Sequence, residues 1–206
     1  MAQTTTGLRR VLNRPQAHRL YQIAVGARRL WRGLVEQCLQ PQAGLRLLDL
    51  GCGTADVLEY LPPQVEYVGV DMSPEYVAAA QKRFHGRGRF EVSRIQDLDV
   101  RAWPPFDCVL AAGVLHHLDD WEALALFRTA YAALVPGGRL VSMDPCLAAD
   151  QSRLARFLVL QDRGRNVRTE EQYVRLARCV FADVMARVEH GRVRIPFTHI
   201  TMLARK

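Results

Sequence analysis

The 206-residue chain has no two cysteines at CxxC spacing: Cys38, Cys52, Cys108, Cys146 and Cys179 stand far apart. Such scatter fits neither a disulfide framework nor a zinc site, so reduced, mostly buried thiols are expected. A long apolar run is also missing. The longest, around CVLAAGVLHHL, is far short of the ~20 residues that span a bilayer. The N-terminal MAQTTTGLRRVLNRP lacks the continuous apolar segment of a secretory leader. A soluble, cytoplasmic chain without a membrane span is expected. Lysine is nearly absent, Lys82 and Lys206 being the only two, so the net charge of +7 rests on arginine. No dense basic block with interleaved aromatics occurs, which disfavours nucleic acid as a partner; arginines solvating helix faces are the plainer account.

What is present reads as one globular domain over 1–206, 49% hydrophobic, with no repeat, low-complexity tract or interdomain linker. Residues 17–39 predict an amphipathic helix, since Leu20, Ile23, Ala24, Ala27, Trp31, Leu34, Val35 and Cys38 recur at three- and four-residue spacing. Residues 1–43 would then form an N-terminal helical cap. From 44 to 145 strands and helices alternate. LRLLDLG, VEYVGVD, RFEVSRI, FDCVLAAGVL and RLVSMDP read as strands, with ADVLEYL as the first intervening helix. Ser73 caps the next helix and Pro74 takes its first position. This punctuation predicts an α/β fold, a parallel sheet covered on both faces. In 146–206 a helix near 150–161, a second starting at Thr169 with Gln172 as capping-box partner, and an antiparallel pair, ADVMARVEH and THITMLA, are expected.

The apolar run in LLDLGCGTADV stops at Asp49 and a Gly-Cys-Gly turn follows. Glycine lets a ligand lie close to the backbone and tolerates positive φ. A Walker-type phosphate loop requires Gly-Lys-Ser/Thr, and no lysine is present. A dinucleotide fold wants GxGxxG, but Asp56 stands at the third glycine position, where an acid sits poorly beside a pyrophosphate. The remaining ligand carries an ammonium group for Asp49 and no phosphate. Asp71 ends the next strand, twenty residues after Gly51, where a carboxylate in doubly wound folds accepts hydrogen bonds from ribose hydroxyls. Ribose plus ammonium, without phosphate, describes S-adenosylmethionine.

With these features the chain resembles the class I S-adenosylmethionine-dependent methyltransferases, through LLDLGCGTA, YVGVDMSPEYVAAA, FDCVLAAGVLHHL and LVPGGRLVSMD in that order. The resemblance implies a Rossmann-like, doubly wound, seven-stranded sheet with its last strand antiparallel, and S-adenosyl-L-methionine as cofactor. It implies that Asp49, Gly51, Cys52 and Gly53 line the methionine side and that Asp71 holds the ribose. Met72 would pack on adenine and Gly113 would lie near the sulfonium. Where the family often has Gly-Asp and an apolar residue, Ser93-Arg94-Ile95 stands. Arginine cannot accept the adenine hydrogen bond. A backbone carbonyl or Asp97 would accept it, with Ile95 offering its backbone N–H.

For the acceptor, the resemblance implies a small molecule, since no Asn/Asp-Pro-Pro-aromatic motif follows the fourth strand. His116 and His117 fall beside the reactive end of the cofactor, and adjacent residues point different ways, so one is expected to face the site. His117 is the candidate catalytic base, as in related small-molecule methyltransferases, with His116 at the substrate. No metal is expected, because no acid or cysteine stands at ligand spacing with the pair. Tyr21, and Gln22 beside it, lie on a helix that folds over the cofactor in this family. Arg163, Arg165 and Arg168 in DRGRNVR would grip an anionic acceptor. A non-catalytic S-adenosylmethionine-binding regulatory protein is the alternative reading, and an NAD-dependent oxidoreductase the more distant one.

Overall fold

A computed structural model describes residues 24–162 and 164–206. Helix α1 (Ala27–Leu34) buries Ala27, Leu30 and Leu34, and a π-helical turn over Val35–Leu39 carries the apolar face onward through Val35 and Leu39. In the described part, the single helix predicted over 17–39 is interrupted because Gly26 adopts φ 77°. Strand β1 (Arg46–Leu50) follows, then β2 (Glu66–Asp71), α2 (Pro74–Arg83), β3 (Arg89–Val92) and β4 (Phe106–Ala112). The chain continues through α3 (Asp120–Ala133), β5 (Leu134–Leu147), α4 (Arg153–Leu160), the two-residue β6 (Arg168–Thr169) and α5 (Glu170–Arg178). It closes with β7 (Asp183–His190) and β8 (Thr198–Arg205).

The main sheet runs β3-β2-β1-β4-β5-β8-β7, with β6 pairing the far end of β5. The strands from β3 to β5 are mutually parallel, and β8 enters antiparallel between β5 and β7. The predicted doubly wound sheet with an antiparallel last strand is therefore what forms. Alternation along β1 divides the core between the two faces. Leu48 and Leu50 join Phe127, Tyr173 and Phe181 on one side, while Leu47 joins Leu34, Leu39, Tyr67 and Phe84 on the other. Each such leucine, fully buried, contributes ~1.5–3 kcal/mol. Asp49 shares the face of Leu47, so the same alternation carries a carboxylate into an apolar layer.

Caps match their local signals. Ser73 accepts from the Tyr76 N–H ahead of Pro74, and Thr169 and Gln172 form a reciprocal capping box. ADVLEYL departs from expectation. Only Asp56–Glu59 coil, as a single 3-10 turn, opened by Ala55 at φ 55° and cut short by the prolines at 62 and 63. Arg83 holds this turn, reaching Asp56, Glu59 and the Thr54 carbonyl.

Candidate active site

The carboxyl ends of β1, β2 and β4 meet at one edge of the sheet, where strand order reverses between β1 and β4, the usual ligand crevice of open α/β sheets. After β1 the chain turns sharply, with Gly51 at φ 78° and Gly53 at φ 53°. The N–H groups of Gly51 and Cys52 both donate to the Val70 carbonyl, at 2.7 and 3.0 Å, which pins the turn to β2. The two glycines do different things. A Cβ on Gly51 would lie 2.5 Å from Val114 Cγ2, whereas one on Gly53 would meet nothing within 4 Å. Gly51 thus permits packing against the turn after β4, and Gly53 faces open space.

Both acids stand at this turn. Asp71 accepts the Gly53 N–H at 2.9 Å on Oδ2 and the Ser73 N–H at 2.8 Å on Oδ1, which leaves acceptor capacity on each oxygen. Burial raises its carboxyl pKa, against the pull of those two bonds. Asp49 is 4% exposed, and its Oδ2 accepts the Tyr67 hydroxyl at 2.6 Å. Burial pushes its carboxyl up to about 7, opposed by the Tyr67 bond and aided by the negative charges of Asp71 and Asp56. Cys52 is buried beside them, and its thiol is held well up, first by burial and then by both acids. An unreactive thiol that fills space is the result. A carboxylate reluctant to ionise without a counter-charge, next to one with free lone pairs and a side-chain-free surface, fits an ammonium-bearing riboside.

Met72 is 41% exposed just past β2. Ile95 opens a 3-10 turn after β3 with its side chain buried, while Arg94 and Asp97 are exposed. Gly113 takes φ 70° and donates to the Met143 carbonyl at 2.7 Å. Tyr21 and Gln22 lie outside the described residues, as does Arg163.

The acceptor side differs from the expectation. Leu115–His117 form a 3-10 turn, so the two imidazoles do not diverge but lie with centroids 3.9 Å apart. His116 is 5% exposed, and both of its ring nitrogens are taken: Nδ1 by Asp144 at 2.8 Å and Nε2 by Asp162 at 3.0 Å. Burial alone would lower its pKa, but the two carboxylates override this and push it up to about 9. In return His116 holds the Asp162 carboxyl below its usual range, against burial. His116 therefore has no nitrogen for a substrate, and as an imidazolium it is no base at neutral pH. His117 is 9% exposed. No sequence signal near His116 marks Asp162, which is distant in the chain; the loop before β6 folds it onto the His116 ring.

Arg168 also corrects an expectation. It is 6% exposed, and its guanidinium donates to the carbonyls of Leu115, Leu118 and Asn166 and to Asp120, at 2.8–3.1 Å. Its donors are spent inside the protein, tying the 162–168 loop to the turn after β4, and none remains to grip an acceptor. Arg165 stays exposed. Asp120 is 62% exposed, so the ion pair adds little. The buried carbonyls matter more. Arg168→Ala should cost roughly 2–4 kcal/mol of stability, read by urea unfolding, because it removes charge-assisted bonds to three carbonyls, Leu115, Leu118 and Asn166. A loss below about 1 kcal/mol would show that the loop docks without it.

Comparison with known proteins agrees with this geometry. A methyltransferase-domain family model matches residues 48–140. The chain is 33% identical over 129 residues to the demethylmenaquinone methyltransferase of Thermus thermophilus, covering 59% of this chain and 57% of that protein. It is 38% identical over 104 residues to the ubiquinone biosynthesis O-methyltransferase of Nitrobacter winogradskyi, covering 48% and 38%. The chain spans between 25% and 57% of the length of the first curated relatives it matches. In fold it is similar to a Haemonchus contortus phosphoethanolamine N-methyltransferase crystallised with phosphomonomethylethanolamine and S-adenosylhomocysteine. The TM-score is 0.75 at 17% identity, over 97% of this chain and 59% of that one. With the glycine turn, its two acids and this sheet order, residues 48–140 match the methyltransferase-domain family, and the chain is similar to the class I S-adenosylmethionine-dependent methyltransferases, whose cofactor is S-adenosyl-L-methionine.

Proposed function

We propose that the chain catalyses methyl transfer from S-adenosyl-L-methionine to a small-molecule acceptor. The observation that carries this is the pairing of Asp49 and Asp71 around a glycine turn whose Gly53 faces open space. When bound, the cofactor supplies a methyl group on a sulfonium, open to in-line displacement by an acceptor held ~3–3.5 Å away. Asp71 would hold the ribose through the lone pairs its backbone bonds leave. Asp49, Gly51, Cys52 and Gly53 would line the methionine end, Met72 and the Ile95 backbone the adenine, and Gly113 the reactive end. On the acceptor side His117 is the candidate proton acceptor, since His116 is already protonated. With Arg168 committed to the fold, any preference for an anionic acceptor would rest on Arg163 and Arg165.

Relatives named for demethylmenaquinone, ubiquinone-biosynthesis and phosphoethanolamine methylation support a small acceptor. The test is labelled methyl transfer with a panel of hydroquinones, phenols and phosphoethanolamines. Label should appear in at least one acceptor with stoichiometric S-adenosylhomocysteine. Stoichiometric cofactor binding with no transfer to any acceptor or to a cell extract would overturn the catalytic reading in favour of a regulatory binder.

Asp49 makes a second expectation. Its folded pKa of about 7 lies above the 3.8 of a solvated aspartate. Between those values the folded protein keeps a proton that the unfolded chain has lost. The associated stability is full below the lower value and is lost as pH rises through the higher one. An ammonium ligand prefers the ionised carboxylate, so its binding should strengthen over the same rise. S-adenosylhomocysteine affinity should increase about tenfold between about pH 5.5 and about pH 7. Asp49→Asn should bind weakly with a flat profile over that range. A flat profile in the parent, or an unchanged slope in the variant, would remove Asp49 from the ammonium site.

A further inference from the structure

The turn after β4 and the loop before β6 bring together His116, His117 and Asp162, whose ligating atoms all lie within 4.8 Å of one another. His116 Nε2 and Asp162 Oδ1 are 3.0 Å apart. Adjacent ligands on an ion with bonds of ~2.1 Å stand about 3.0–3.4 Å from each other, so this edge of a coordination shell already has its length. The ring is also oriented from behind. Asp144 Oδ1 accepts from His116 Nδ1 at 2.8 Å and from its main-chain N–H at 3.2 Å. An imidazole with one nitrogen bound to a carboxylate presents the other to a metal, the arrangement found behind most ligating histidines.

The surroundings supply a second, independent observation. Asp144 Oδ2, on the carboxylate that holds the His116 ring, is buried without a hydrogen-bond partner. Buried polar atoms left unsatisfied are uncommon, and they point to an ion or ordered water nearby. The loop is seated closely on the ring. A side chain at Gly164 would fall 2.1 Å from His116 Cδ2, the Gly164 N–H holds Asp162 Oδ1 at 2.9 Å, and the Asn166 N–H bonds the His116 carbonyl at 3.0 Å. The acid is thus fixed by backbone contacts as well as by the imidazole.

We propose that His116, His117 and Asp162 bind one divalent first-row transition-metal ion, which replaces the Nε2 proton that His116 shares with Asp162 and releases it to solvent, with Asp144 orienting His116. Two imidazole nitrogens and one carboxylate suit zinc, cobalt, iron or nickel; magnesium and calcium favour oxygen-only shells. Three protein ligands leave coordination positions for water or another molecule. His116 Cε1 lies 3.9 Å from where a Cβ on Gly113 would stand, so the ion would sit near the residue assigned to the reactive end of the cofactor. With an ion bound, His117 is a ligand and not a base. The inference does not depend on methyl transfer, and its test reads binding alone.

The test is titration of untagged, chelator-treated protein with Co2+, followed by visible absorption, with Zn2+ as competitor and Mg2+ as control. One equivalent of Co2+ should bind with a d–d spectrum of four- or five-coordinate geometry. Zn2+ should displace it, and Mg2+ should not compete. His117→Ala and Asp162→Asn should each weaken Co2+ binding at least tenfold. Asp162→Asn keeps an oxygen for the Gly164 N–H, so it preserves the loop if His117→Ala fails to fold. Asp144→Asn should weaken binding about 10–100-fold. His85→Ala and His190→Ala should change nothing. Absence of saturable binding, binding that survives Asp162→Asn unchanged, or loss of binding on replacing His85 or His190 would overturn the proposal.

Discussion

Asp71→Ala is expected to weaken S-adenosylhomocysteine binding by about a hundredfold or more while leaving the sheet folded. The carboxylate holds the Gly53 and Ser73 N–H groups and so shapes both the glycine turn and the start of α2. In the proposed complex it also accepts two ribose hydroxyls. Charge-assisted bonds contribute ~1.5–3 kcal/mol each, and each 1.4 kcal/mol is a factor of ten in affinity. Asp71→Asn keeps one acceptor oxygen and should fall between parent and alanine variant. Isothermal titration measures all three. An alanine variant that binds like the parent would place the riboside elsewhere.

The second large effect separates the two glycines. Gly51→Val should abolish cofactor binding and lower the melting temperature markedly. A Cβ there meets Val114 at 2.5 Å, and φ 78° is a conformation that β-branched residues resist. The damage is therefore within the protein: the clash displaces the turn carrying Gly113 and His116. Gly53→Val should act differently. Its side chain enters open space, so stability falls only by the cost of a strained φ, ~1–2 kcal/mol, while binding is lost by exclusion. Thermal melting with and without S-adenosylhomocysteine reads both quantities. Equal stability losses in the two variants, or ligand stabilisation retained by Gly53→Val, would contradict the division of roles.

Features built from neighbouring residues were legible in the sequence. The strand, the glycine turn and the acid twenty residues on lie within one βαβ unit, and Ser73-Pro74 and Thr169–Gln172 are local capping signals that the backbone obeys. What depends on distant chain segments was not. Nothing in sequence spacing marks Asp162 as a partner of His116, since a loop far along the chain delivers it. Arg168 looked like a surface cation in a glycine-containing loop, yet the Leu115 and Leu118 carbonyls of the turn after β4 draw it inside. The histidine pair failed for a local reason. Divergence of adjacent side chains holds for a strand, whereas this 3-10 turn brings the rings together. Tyr67 left a faint signal: on β2 it pairs with Leu47, two residues before Asp49, and a tyrosine buried in a parallel strand requires a partner for its hydroxyl.

Calorimetric titration with S-adenosylhomocysteine and, separately, with NADH tests the central claim most directly. The account predicts one S-adenosylhomocysteine per chain, competition by S-adenosylmethionine, loss of binding in Asp71→Ala, and no heat of binding with NADH. Saturable binding of NADH, with none of S-adenosylhomocysteine, would contradict it.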